Sequence, residues 1–406
     1  MLKSRRPKRP KPPLTKQARF SPLGVLSVAG LAIVFGIIVI VATRAASPAI
    51  SVEPELGGLS GASQVVGDAS ASGGQAVRFG ASLAALPSPG TWTNVTNNLA
   101  NMPSECGNLT LISQVPGVDK TIAGVARVGL FMTTNGGSNW LALGTGSGSE
   151  FLNNRPSSIV YDPANANIFW VSGIYGDGVF KTTDGGLTFH RLGNISHVDS
   201  VSIDFTDPNR QTLLAGGHEA SKTVYKSSDG GQTWTNIGGN LAGTGFSSSP
   251  LVMNAQTYIV NSYPSWGGGT AGIFRTTNGG SSWQQVSTLG PAKLPKIAPD
   301  GTIYWNLPGT GLAKSIDSGQ TWSAVGQSAG LQNERDLVIL ADGRIAAQGG
   351  NGIMVSADKG ITWTQSGANF TTAEEGISYS PSRNAFFAWA WDCGNAVLPN
   401  AIMKLQ

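Results

Sequence analysis

One eight-residue pattern, repeated six times, constrains this chain more than any other feature. Ser/Thr-x-Asp/Asn-x-Gly-x-Ser/Thr-Trp/Phe begins at Thr133 (with Asn139 in the second Ser/Thr place), Thr182, Ser227, Thr276, Ser315 and Ser356, at intervals of 49, 45, 49, 39 and 41 residues. That period matches one four-stranded propeller blade. The chemistry of the pattern is local. The Asp or Asn accepts hydrogen bonds from nearby backbone N–H groups, the glycine supplies a left-handed turn, and the aromatic packs between neighbouring sheets. Asn135, Asp184, Asp229, Asn278, Asp317 and Asp358 are therefore read as turn staples, not as catalytic acids or metal ligands.

With those residues in view, the pattern resembles the Asp box, or BNR repeat, of sialidases, sortilin-type receptors, xyloglucanases and photosystem II assembly factors. The resemblance implies an all-β propeller of about seven blades, with the boxes away from the ligand face. Composition agrees: 55 glycines and only 12 % charged residues suit many short strands joined by tight turns.

One blade is legible strand by strand. Residues 157–163 form strand A, 168–173 strand B, 178–183 strand C and, after the box, 188–193 strand D. Further blades are expected to begin near 108, 198, 249, 292 and 335. The last segment offers A (376–381), B (384–391) and C (401–406) strands, then no box. Thr91-Trp92-Thr93-Asn94-Val95 matches the D strand Thr233-Trp234-Thr235-Asn236-Ile237. The N-terminal strand is thus expected to complete the last blade and remove the free sheet edge. Cys106 and Cys393 would then lie in neighbouring blades on one face, which in an exported domain reads as a disulfide.

Upstream of the propeller, residues 1–44 hold nine Lys/Arg and no acid, leaving 18 basic against 23 acidic residues over 45–406. That mildly acidic remainder argues against a nucleic-acid partner. Leu23 to Ala42 is free of charge and long enough to cross a bilayer as a helix. The expected layout is a basic cytoplasmic tail (1–21), a retained transmembrane signal anchor (22–43), an Ala/Ser/Gly-rich stalk (44–90) and an extracytoplasmic propeller (91–406). Within the stalk, Val52-Glu53-Pro54-Glu55 through Arg78-Phe79 resembles the opening of β-sandwich carbohydrate-binding modules. It is too short for a whole module and reads as a hairpin or a flexible stalk. The tail and anchor point to a single-pass bacterial membrane protein.

In a propeller the B–C and D–A loops share the face opposite the boxes. The B–C loops nominate Arg127, Tyr175 with Asp177, His218 with Glu219, Tyr263 with Trp266, Trp305, and Trp391 with Asp392. The D–A loops add Glu105, Glu150 and Glu334-Arg335-Asp336. Aromatic rings beside carboxylates and Arg suit a sugar surface. The reading is a monomeric binding module for a cell-surface or environmental glycan, or alternatively for an extracytoplasmic protein, as a scaffold or assembly factor. A glycoside hydrolase is the catalytic alternative, and it needs paired carboxylates. Glu105 with Asp392 come first, then Glu219 and Asp336. Three His at 190, 197 and 218 show no metal-ligand spacing in sequence, so neither metal nor cofactor is expected.

Overall fold

The computed structural model describes residues 63–67, 75–79, 85–87, 90–100, 102, 104, 108–264, 267–326, 331, 337–371, 376–390 and 401–406. The chain divides into two units, Met1–Ser82 and Leu83–Gln406. In the first, Ser63–Gly67 and Gln75–Phe79 pair antiparallel as a hairpin, one of the two forms expected for the stalk. Leu23–Ala42 lies outside the described residues. Among the described residues no helix is long and apolar enough to cross a membrane.

The second unit is a propeller of seven four-stranded antiparallel sheets. Strands A of blades 1 to 7 are Leu109–Gln114, Arg155–Asp162, Val198–Ile203, Pro250–Val252, Ala292–Ile297, Leu337–Ile339 and Gly376–Ser380. The blade read from sequence is blade 2. Its A, B and C strands run Arg155–Asp162, Asn165–Ile174 and Val179–Thr182. Its D strand is only His190–Arg191. The expected D strand was too long because Thr188 and Phe189 belong to the box turn, where both backbone N–H groups bond to side-chain oxygens instead of a strand.

Ring closure is as the sequence reading expected. Trp92–Asn94 pairs with Ala401–Leu405 through Trp92↔Leu405, Thr93↔Lys404 and Asn94↔Met403. The Trp92 indole N–H donates to Ala368 O across the boundary with blade 6 at 3.1 Å. Trp140, Trp234 and Trp283 donate in the same manner to Val95 O, Leu192 O and Ile237 O of the preceding blade. Thus Trp92 does for the ring's seam what these three box aromatics do for blades 1, 3 and 4, whereas Trp322 and Trp363 donate within their own boxes, to Gly319 O and Gly360 O.

Among the described residues no single core runs through the propeller. Buried apolar side chains form seven wedges, one at each boundary between adjacent blades. The box explains how the wedges stay in register. In the third copy the Ser227 hydroxyl donates to Asp229 Oδ1 at 2.7 Å and accepts the Gly231 N–H at 2.8 Å. Asp229 Oδ1 accepts the Thr233 N–H at 2.9 Å, completing a self-contained turn. Gly231 has φ +97°, and a Cβ there would stand 2.7 Å from Leu192 Cδ1 in blade 2. The glycine is needed both for its backbone and for the close blade-to-blade approach.

Candidate ligand-binding site

Strands A line a central channel of about 520 Å³, with His218, Asp199, Ser247 and Tyr263 among its walls. Beside His218, loops of blades 2 and 3 converge. Tyr175 and Asp177 sit between strands B and C of blade 2, and His218 and Glu219 between Leu213–Gly217 and Val224–Ser227 of blade 3. His197 precedes Val198 in the connection between these blades, and Asp199 lies at the start of the strand that follows. The expectation that B–C and D–A loops would bring candidates together holds here.

Local chain geometry aims these side chains. Tyr175, His197 and Glu219 have φ of +55°, +58° and +51°, a left-handed conformation unusual for non-glycine residues. Gly176 lets the blade 2 loop pass close to its neighbour, since a Cβ there would meet Asn154 Cα at 2.7 Å. The Asp177 N–H donates to Asn153 Oδ1 at 3.0 Å. Asp177's carboxylate accepts from Asn153 Nδ2 and pairs with Arg191, both at 2.9 Å. It is committed to holding the loop.

The reactive atoms lie one step inward. The Tyr175 hydroxyl donates to Glu219 Oε1 at 3.2 Å. His197 Nε2 is 3.7 Å from Glu219 Oε2, and His218 Nε2 is 3.4 Å from Glu219 Oε1. His218 Nδ1 stands 2.7 Å from Asp199 Oδ1. A carboxylate only accepts, so Nδ1 carries a hydrogen, and Nε2 is the ring nitrogen left facing Glu219. The Tyr175 N–H donates to His197 Nδ1 at 3.1 Å, which puts the hydrogen of that neutral ring on Nε2, toward Glu219. The His197 and His218 rings pack edge to face at 4.8 Å. Burial, followed by the nearby His218, holds His197 below the usual imidazole range. Burial and the Glu219 carboxylate push the Tyr175 phenol up.

Of the nominated residues, Tyr175, His218 and Glu219 are brought together, while Asp177 holds the blade 2 loop through Asn153 and Arg191. Arg127 is exposed at the B–C turn of blade 1 with φ +57°, and its N–H donates to Asn154 O at 2.9 Å. Tyr263 is half-buried at the channel wall. Glu150 accepts the Arg191 N–H at 2.6 Å and stands beside His190. Trp305 corrects the reading: it lies within the strand Ile303–Leu307, fully buried against Trp322, with its indole N–H donating to Lys293 O. It is a wedge residue between blades 4 and 5, not a ligand-face ring. Glu105, Cys106, Trp266, Glu334, Arg335, Asp336, Trp391, Asp392 and Cys393 lie outside the described residues, and with them the disulfide and the first carboxylate pair.

Sequence reasoning missed His197 and Asp199. The D–A loop rule reaches His197, but spacing along the chain gives no hint that it meets His218 and Glu219 across a blade boundary. In space the coordinating atoms of His197, His218 and Glu219 all lie within 4.8 Å of one another.

No family model matches the chain. It is 25 % identical over 211 residues to a xyloglucanase of Hypocrea jecorina (strain QM6a), a match covering 41 % of this chain and 25 % of that protein. The chain thus spans about a quarter of the length of this curated relative. Among solved structures, the GH74 xyloglucanase from Xanthomonas campestris matches with TM-score 0.50 and 14 % identity, covering 74 % of this chain and 43 % of that one. An extracellular domain from B. thetaiotaomicron matches with TM-score 0.54 and 12 % identity, over 78 % of this chain and 42 % of that one. At such identities these likenesses concern the fold, and that fold is the seven-bladed Asp-box β-propeller.

Proposed function

We propose that this Asp-box propeller is a glycan-binding module held outside the cytoplasm by the membrane anchor at residues 22–43, and that it binds ligand on the face bearing Tyr175, His197, His218 and Glu219. The observation that carries the reading is the convergence, at a channel mouth, of an exposed tyrosine ring with two imidazoles and a carboxylate, three of these four residues (Tyr175, His197 and Glu219) being left-handed. Backbone strain of this kind is retained where a side chain must be aimed. An aromatic face with flanking hydrogen-bonding groups suits a pyranose ring. The named xyloglucanase relative supports a polysaccharide as ligand class.

The test is a titration of the full chain in detergent with xyloglucan oligosaccharides and a broader glycan array, alongside chromogenic glycosides. Saturable binding without turnover, weakened tenfold or more by Tyr175→Ala while Arg127→Ala changes it less, is the expected result. Turnover abolished by Glu219→Gln would convert the reading to a glycoside hydrolase. A folded chain that binds no glycan would sink it in favour of a protein ligand.

A further inference from the structure

We propose that His218, Glu219 and His197 form a binding site for one divalent transition-metal ion of the zinc class. A tetrahedral ion with bonds of about 2.0–2.1 Å separates neighbouring ligand atoms by roughly 3.3–3.5 Å. The His218 Nε2–Glu219 Oε1 edge is already 3.4 Å, while His197 Nε2 stands 3.7 Å from the other carboxylate oxygen, Oε2, and one ligand atom from each of the three residues lies within 4.8 Å of the others. Asp199 fixes the His218 ring so that Nε2 faces Glu219, and that nitrogen is buried with no hydrogen-bond partner among the described residues. A single cation bound between this nitrogen and the carboxylate oxygen, a proton or a metal ion, would satisfy both. The Asp199–His218 pair is also the carboxylate–histidine arrangement that orients metal-bound imidazoles.

Two imidazoles and one carboxylate select zinc, nickel or copper over calcium and magnesium, which prefer all-oxygen shells. Three protein ligands leave a fourth position for water or a ligand oxygen at the channel mouth. The arms are unequal. His218 and Glu219 are set for an ion as they stand. His197 must release the Tyr175 N–H at Nδ1 before its ring can offer a lone pair toward Glu219, so it contributes least.

The site shares His197, His218 and Glu219 with the proposed glycan face, but it is tested without sugar, so the two readings fail separately. The full chain in detergent, stripped of metal by chelator, is titrated calorimetrically with zinc chloride, then with calcium and magnesium chlorides. One saturable zinc site per chain, and none for calcium or magnesium, is expected. His218→Ala should abolish it, Asp199→Asn should weaken it about 10–100-fold, and His197→Ala should weaken it less than His218→Ala. His190→Ala, on the outer strand of blade 2, should bind like the parent. Because a variant could unfold, thermal unfolding is followed with each, and zinc should raise the parent's Tm but not that of Glu219→Gln. Absence of saturable zinc uptake by the folded parent, or undiminished uptake by folded His218→Ala, overturns the proposal.

Discussion

On the Asp-box side of the propeller the same bonds recur from blade to blade. A Ser or Thr hydroxyl donates to the Asx oxygen at 2.7–2.8 Å in all six boxes. Charged side chains then lace the blades together there. Arg210 grips Asp162 and Arg383 grips Asp119 through two bonds each, and Lys359 reaches Asp300. Across the molecule the loops of blades 2 and 3 follow no repeat. They hold side chains on left-handed backbone and leave His218 Nε2 and Asp199 Oδ2 buried without hydrogen-bond partners among the described residues. The box face commits its repeated polar groups to holding the ring together, though it too buries one oxygen, Asp204 Oδ2, without a hydrogen-bond partner among the described residues. The other face keeps some of its polar groups uncommitted, as a site must.

The sharpest way to break the first face is at its seam. Trp92 is 9 % exposed, packs on Phe370 at 5.2 Å and bonds to blade 6. Trp92→Ala should cost about 3–5 kcal/mol by cavity formation, read as a fall in Tm. A drop no larger than that of a surface substitution would mean that the seam adds little. Next in size is Gly231→Ala, where a Cβ meets both a φ of +97° and Leu192. It should destabilise by about 1–3 kcal/mol. Ligand binding, measured on the folded fraction, should be unchanged, because the lesion lies on the opposite face.

How much was legible follows the same division. The boxes could be read because each is closed within eight residues, its glycine, hydroxyl and aromatic all serving one turn. The seam could be read because Trp92 repeats a neighbour's sequence. Trp305 could not be separated from a loop ring, since B strands are apolar on both faces and its fate depends on Trp322 from the same blade's D strand side. His197 escaped notice for a related reason. Its partners are 21 and 22 residues away in sequence and meet it only because strand A of blade 3 leads the chain away and the antiparallel strand B returns it to the same end.

Acid should distinguish the faces with a smaller effect. The Thr233 and Thr362 hydroxyls, with the backbone N–H groups behind them, hold Asp229 and Asp358 down at about 2. Their ordinary value is 3.8. A depressed folded-state pKa means that the stabilisation is complete above the ordinary value and is lost as pH falls from there toward about 2. Tm should therefore be flat in this respect above about pH 5 and decline below about pH 4. Asp229→Asn, which copies the first and fourth boxes, should lessen the decline. An identical acid limb in that variant would show that the box carboxylates are not what acid titrates.

The smallest effect is also the most discriminating. In four boxes the residue after the Asx is a glycine with φ between +70° and +74°, but the fifth and sixth place Ser318 at +58° and Lys359 at +62°. Ser318 contributes only its carbonyl, which accepts from Arg275 Nε at 3.2 Å and survives truncation. Relief of left-handed strain, partly offset by the extra freedom of an unfolded glycine, should make Ser318→Gly more stable by up to about 1 kcal/mol. Glu219→Gly relieves the same kind of strain on the other face and should likewise raise Tm slightly, yet it removes the carboxylate that Tyr175, His197 and His218 surround. Paired measurements of Tm and ligand binding separate the two cases. Strain at Ser318 should be removable with no loss of binding. At Glu219 the gain in stability should come with loss of the site, because there the strained backbone is what aims the side chain. If Glu219→Gly bound ligand as well as the parent, the left-handed loops of blades 2 and 3 would be turns of the same kind as the boxes, and the contrast between the faces would fail.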